Sequence, residues 1–393
     1  MNIFKSVLLV GAMTMMAELA FAQTWTQTSA SSNNWWSVDS SADGCKLIVG
    51  TAAGGDQCIY TSTNSGFTWV SNNVPKSYWC SVSSSADGTK LAAAAIDGPS
   101  GLYVSTNSGA TWLRTCNVTS YWYSIASSAD GRKIVAVGET SYWPYYYSNR
   151  ISQLFSSTNY GSTWTSNSSP PAEFCGVASS ADGTKLVAPV TNGGGIFTSV
   201  NSGTTWVSNR IYDGAWASVA SSADGAKLTA VSHYGSIYTS TNSGGVWKLN
   251  GASLPMFSVA ASVDGSKLLG SSDDHLYIST NSGATWKAAD VTGKYWRGVA
   301  MSADGSKLVA VSALGGIWTA QVTPAPRIHL APTNGNLTLA WTVPSTNFTL
   351  QQSADLSSWA SVTNPPVLNL TNLQNEVTLP PSGNNSFYRL RTP

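Results

Sequence analysis

Charge is scarce in this chain. Only 10% of its 393 residues are Asp, Glu, Lys or Arg, against about 25% in ordinary soluble domains. The 20 basic and 19 acidic side chains nearly cancel, leaving a net charge of +1. Without a basic excess there is no electrostatic footprint for nucleic acid or for an anionic membrane surface. Histidine is rarer still. His233, His275 and His329 show no ligand spacing, so neither a metal nor another cofactor is expected. No segment sustains a period of about 3.6, which removes the helical repeat architectures. After residue 22 no run reaches the roughly 18–20 apolar residues of a membrane helix, so membrane insertion is not expected. Disorder, the other reading of low charge, is excluded by 42% hydrophobic and 11% aromatic residues.

Cysteine is present in an odd number, at 45, 58, 80, 116 and 175, with no CxxC spacing that would suggest zinc. Cys45 and Cys58 fall at opposite ends of an antiparallel pair, which argues against a bridge between them. Pairing among Cys58, Cys80 and Cys116 is the expectation. Disulfides suit the N-terminus, which reads as a signal peptide over residues 1–22. Lys5 supplies the positive region, Ser6 to Met16 the apolar one, and Ala20-Phe21-Ala22 the cleavage site. The mature chain then starts at Gln23 and is secreted or extracytoplasmic.

What fills the chain is a repeat. An Ala-Asp-Gly-x-Lys-Leu block recurs with Asp at 43, 87, 130, 182, 224, 264 and 304. A second block, Ser-Thr-Asn-Ser-Gly-x-Thr-Trp, recurs with Trp at 69, 112, 164, 206, 247 and 286. The period is near 40 residues except for one spacing of 52, between Asp130 and Asp182. Each unit divides into four short apolar runs separated by Asp-Gly and Asn-Ser-Gly hairpin signals. Four strands per unit of about 40 residues predict a β-propeller blade. The seventh unit has no second block, whereas Thr24-Trp25 stands alone near the N-terminus. The two ends therefore share a blade, which abolishes an open edge.

The second block resembles the Asp-box of BNR-repeat propellers, the fold of sialidases, some glucan hydrolases and plant-type photosystem assembly factors. The resemblance covers roughly residues 24–321. It implies that the box is a structural turn and lies on the face opposite the ligand. Asn stands where those proteins usually carry Asp. It keeps the acceptor and drops the charge, which should weaken the turn's bonds.

The expected fold is all-β: a seven-bladed propeller over 23–322, a linker at 323–326, and a small fibronectin-like β-sandwich over 327–393. Candidate ligand residues are sought where the repeat breaks. The long third unit carries Tyr142, Trp143, Tyr145, Tyr146 and Arg150; between units four and five stand Arg210, Tyr212 and Asp213. Trp296 opens unit seven, and Arg297 fills a slot that holds Trp36, Cys80, Tyr123, Cys175, Ala217 and Phe257 in the other units. Asp39 is equally odd, standing where other units carry Ser or Ala. The opening positions Trp35, Trp79, Trp122, Phe174, Trp216, Met256 and Trp296 read either as a sugar platform or as packing between blades.

Glycoside hydrolysis needs two carboxylates facing each other, and no spacing singles out such a pair. Catalytic residues are therefore not assigned. The leading expectation is a monomeric, non-enzymatic protein that binds a glycan or an extracellular protein. The alternatives are a glycoside hydrolase of sialidase or glucanase type and an assembly factor for a membrane complex.

Overall fold

A computed structural model describes residues 25–96, 101–116, 121–139, 152–169, 172–191, 194–211, 215–251, 253–291, 293, 295–321, 328–333, 336–342, 349–354, 358–369, 371, 374–380 and 386–391. Strands and turns make up these residues. Between Trp25 and Gln321 they form seven four-stranded antiparallel sheets. Sheets one to seven are numbered here by the Ala-Asp-Gly turn that each contains. Sheet two is typical, with strands Trp79–Ser84, Leu91–Ala95, Gly101–Ser105 and Leu113–Arg114 in chain order.

Both repeated blocks are explained by local bonding. In sheet two, Ser85 Oγ donates to Asp87 Oδ1 at 2.6 Å, and the same oxygen accepts the Thr89 N–H at 2.9 Å. Gly88 takes a φ of 65°, open to glycine at little cost. Its α-hydrogen face lies against Lys46 of sheet one, where an added Cβ would sit 2.6 Å from Cδ. In the second block, Asn107 Oδ1 accepts the Thr111 N–H and Asn107 Nδ2 donates to Thr111 Oγ1, both at 2.9 Å. The weakening expected of Asn in this box is thus offset. The amide adds a donated bond that a carboxylate can keep only if the threonine hydroxyl turns to donate.

The opening residues of the first strands are packing groups. Trp35, Trp79, Trp122, Phe174, Trp216, Met256 and Trp296 are all buried. All but Met256 meet a third-strand aromatic of their own sheet edge-on, with centroids 5.1–6.1 Å apart. Cores form between neighbouring sheets. Leu102 and Val104 of sheet two, for example, pack with Trp122 and Ile134 of sheet three.

The sheets close on themselves in two ways. Trp25–Gln27 pairs antiparallel with the last strand of the repeats, Ile317–Gln321, and so supplies the fourth strand of sheet seven. The turns also form a cycle of backbone bonds. The Ala42 N–H donates to Ala86, Ala86 to Ala129, Ala129 to Ala181, Ala181 to Ala223, Ala223 to Val263, Val263 to Ala303, and Ala303 back to Ala42, each at 2.7–2.8 Å. Every sheet is therefore bonded to the next around a common axis.

The C-terminal residues form a four-stranded sheet, in the order His329–Thr333, Asn336–Thr342, Gln374–Leu379, Val367–Asn369, and a three-stranded sheet. Leu339, Trp341, Leu350, Val377 and Leu379 form a core drawn from both. Cys45, Cys58 and Cys175 carry free thiols. The expected bridge involving Cys58 does not form; its Sγ approaches the Asp56 carbonyl at 3.5 Å instead.

Candidate functional site

The end of the ring opposite the repeated turns collects the hairpins between second and third strands and the links between sheets. The inner strand of each sheet presents one side chain there, in the slot after the buried opening residue. Six of the slots hold uncharged residues, and sheet seven holds Arg297. A cation pressed among aromatic groups needs a partner. Arg297 Nη1 donates to Asp273 Oδ1 at 2.9 Å, the one ion pair among the described residues. Its guanidinium carbon lies 4.3 Å from the centre of the Phe257 ring and 5.7 Å from that of Trp36. Those residues occupy the same slot in sheets six and one, so Arg297 bridges its neighbours on both sides.

The contacts extend further in each direction. Trp36 meets Tyr78 edge-on at 5.4 Å, and Phe257 meets His233 at 5.0 Å. His233, Phe257, Arg297, Trp36 and Tyr78 thus form an unbroken arc contributed by sheets five, six, seven, one and two. Burial, together with the nearby Arg297 guanidinium, lowers the His233 pKa, with Asp273 opposing. Tyr234 and Tyr295 flank the arc with exposed rings. Tyr295 is held with a φ of 58° by its N–H bond to the Asp273 carbonyl.

The carboxylates around this mouth are already engaged. Tyr123 Oη donates to Glu139 Oε2 at 2.6 Å. The Tyr60 hydroxyl donates to Asp56. Burial alone would raise the Asp56 pKa, but bonds from Tyr60, Asn33, Thr51 and the Cys58 N–H hold it below the usual carboxylate value. Burial, then the Asp56 carboxylate, pushes Tyr60 up to about 12. Asp39 stands apart, nearer the turn end of the inner strand. Its counterparts are Ser83 and then alanine at 126, 178, 220, 260 and 300. Its two oxygens accept the Ser40 and Ser84 N–H groups at 2.8 Å, joining sheets one and two. Asp39 is half-buried, and its burial pushes its pKa up to about 6 despite the two bonds.

Of the residues singled out in the sequence, Arg297 lies at the centre of the arc. Trp296 is fully buried and packs on Trp318, so it faces the interior. Arg210 is exposed, just past the strand Val207–Asn209. Tyr142, Trp143, Tyr145, Tyr146, Arg150, Tyr212 and Asp213 lie outside the described residues. The arc's other members carried a weaker signal. Trp36 and Phe257 share the slot of Arg297, and His233 and Tyr234 fall in a hairpin at the same end.

No family model and no curated protein sequence matches the chain. Solved structures do. YCF48 from Cyanidioschyzon merolae superposes with a TM-score of 0.57 at 13% identity, covering 76% of this chain and 98% of that one. YCF48 bound to D1 peptide gives 0.55 at 14%, with 77% and 96% covered. The GH74 xyloglucanase from Xanthomonas campestris gives 0.57 at 14%, covering 81% of this chain but only 59% of the enzyme. All are β-propellers. At such identity the likeness concerns the fold: an all-β chain of repeated four-stranded sheets with propeller architecture.

Proposed function

We propose that this is an exported, monomeric seven-bladed propeller of the Asp-box type, spanning 23–322, which binds a glycan or an extracellular protein at the mouth bearing Arg297. A signal peptide over 1–22 directs export, and 323–326 links the ring to a small β-sandwich over 327–393. The observation that carries the binding function is the arc from His233 to Tyr78. It offers a run of aromatic faces with one guanidinium held among them, close to exposed tyrosines. Ring faces stack on sugars, and charged groups bond hydroxyls, so a glycan is the first candidate. The aromatic run around Tyr142, Trp143, Tyr145, Tyr146 and Arg150 and the Arg210–Tyr212–Asp213 segment would extend the same surface.

A hydrolase reading draws on the likeness to a xyloglucanase, and an assembly-factor reading on the likeness to YCF48. Against hydrolysis, Asp56, Glu139 and Asp273 are each tied to a neighbour rather than paired across a gap. The test is a glycan array and a peptide array run with the wild type and with Arg297→Ala, together with a turnover assay on every glycan that binds. Binding that depends on Arg297 without turnover supports the proposal. Hydrolysis of a bound glycan would establish the enzyme instead.

A further inference from the structure

The ring of bonded turns is unevenly covered. Ala42, Ala86 and Ala303 are buried, whereas Ala129, Ala181, Ala223 and Val263 are only half-buried. The turn aspartates follow the same pattern. Asp43 and Asp304 are half-buried, while Asp87, Asp130, Asp182, Asp224 and Asp264 are exposed. Ser306, two residues after its Asp, is 4% exposed, and none of its counterparts is buried. The cover therefore lies over sheets seven, one and two. It comes from the C-terminal region, where Leu368 in the strand Val367–Asn369 packs against Ala42, Ala86 and Ala303. Asp304 records the same contact: burial raises its pKa, while those of Asp87, Asp182, Asp224 and Asp264 are lowered.

Those three sheets flank the join at which the chain's first strand closes the ring. Sheet seven lacks the second block, and the groove between sheets seven and one encloses about 560 Å³. The corresponding grooves between sheets two and three and between three and four enclose about 10 Å³ each. That groove lies beside the closure, where Trp25–Gln27 meets the last strand of the repeats through the pairs Trp25–Ala320, Thr26–Thr319 and Gln27–Trp318.

We propose that the alanine ring is a docking surface for the chain's own C-terminal module, and that Leu368 makes this module a clasp across the closure of the propeller. The module is tethered to sheet seven through the residues following Gln321 and rests on sheets one and two. Opening the ring at the first strand requires this contact to be released.

The experiment uses the full chain with Leu368→Ala and Leu368→Arg. Val367→Arg, at an exposed neighbour (68%), is the control. Hydrogen exchange of the Trp25–Gln27 amides should accelerate roughly tenfold in both Leu368 variants, since these amides open locally with the closure. The Asp304 carboxyl, followed by NMR, should move down toward the behaviour of Asp264. The control should change neither. Where the arginine unfolds the module, seen as loss of the Trp341 near-UV signal, the alanine variant decides. Unchanged exchange and an unchanged Asp304 in the alanine variant overturn the proposal. So do unchanged values in an arginine variant whose module has unfolded.

Discussion

Replacing Arg297 by alanine takes one cation out of the arc and leaves its partners in place. The guanidinium stacks on Phe257 and approaches Trp36, and such contacts contribute about 0.5–2 kcal/mol each. The carboxylate partner, Asp273, is 53% exposed, so screening limits the ion pair to about 0–1 kcal/mol. The total loss should be about 1–2 kcal/mol, or a melting temperature lower by roughly 1–3 °C in a chain of this size. The more specific signature is His233. Burial and the Arg297 charge hold its pKa low, and Asp273 pulls the other way. Without the guanidinium, Asp273 is opposed by burial alone and the imidazole pKa rises. In the wild type, the lowered pKa means that stability is lost as pH falls below the unfolded value near 6.5. That loss should shrink in the variant. An NMR titration of the His233 ring protons checks both the direction and the site. A variant in which His233 titrates as in the wild type would show that the arc is not electrostatically connected.

Asp39→Asn should flatten a different part of the stability curve. A carboxyl raised to about 6 keeps its proton in the native state when the unfolded chain has already lost it. Wild-type stability therefore falls as pH rises from about 4 to 6, by an order of 1–2 kcal/mol, and urea melts across that window should lose this slope in the variant. Deleting residues 25–27 removes the fourth strand of sheet seven; chromatography should then show aggregation from the exposed edge of Ile317–Gln321. Trp112→Ala strips a half-buried indole from the core beside Trp79, and calorimetry should register a loss of about 2–4 kcal/mol. Trp143→Ala and Tyr146→Ala should leave the melting temperature nearly unchanged and weaken ligand binding by about 1–3 kcal/mol, measured by titration calorimetry. A drop in stability with binding intact would assign that run to packing.

The turns were legible in the sequence because their chemistry is short-range and repeated. Asp87 and Asn107 each bond atoms within four residues of themselves. The closure by Trp25 could be read from a missing block and a stray Thr-Trp. The arc was legible only at Arg297, where a charge breaks a column of uncharged residues. Its contact with Trp36 exists because the last sheet returns to the first, and no local pattern encodes that proximity. The bonds from alanine to alanine were hidden for the same reason. Six of them join turns 40–52 residues apart in sequence, and the seventh, Ala303 to Ala42, spans nearly the whole repeat region. The burial of Trp296 was the packing alternative for its column, and the edge-on contact with Trp318 accounts for it.

The alanine cycle also bears on how such a chain can be altered over time. Each N–H points to the following sheet in the same rotational sense, and the last returns to the first donor. The number of repeats is therefore a counting condition. Duplicating or losing one unit changes the angle between all neighbours at once, so the new turns must find a different common radius before any of them is bonded. Lengthening a hairpin at the far end disturbs none of these bonds. A gene built from near-identical units invites unequal exchange between them, and this geometry filters the products. Changes in copy number meet a collective barrier, while insertions such as the one that stretches the third spacing to 52 pass freely.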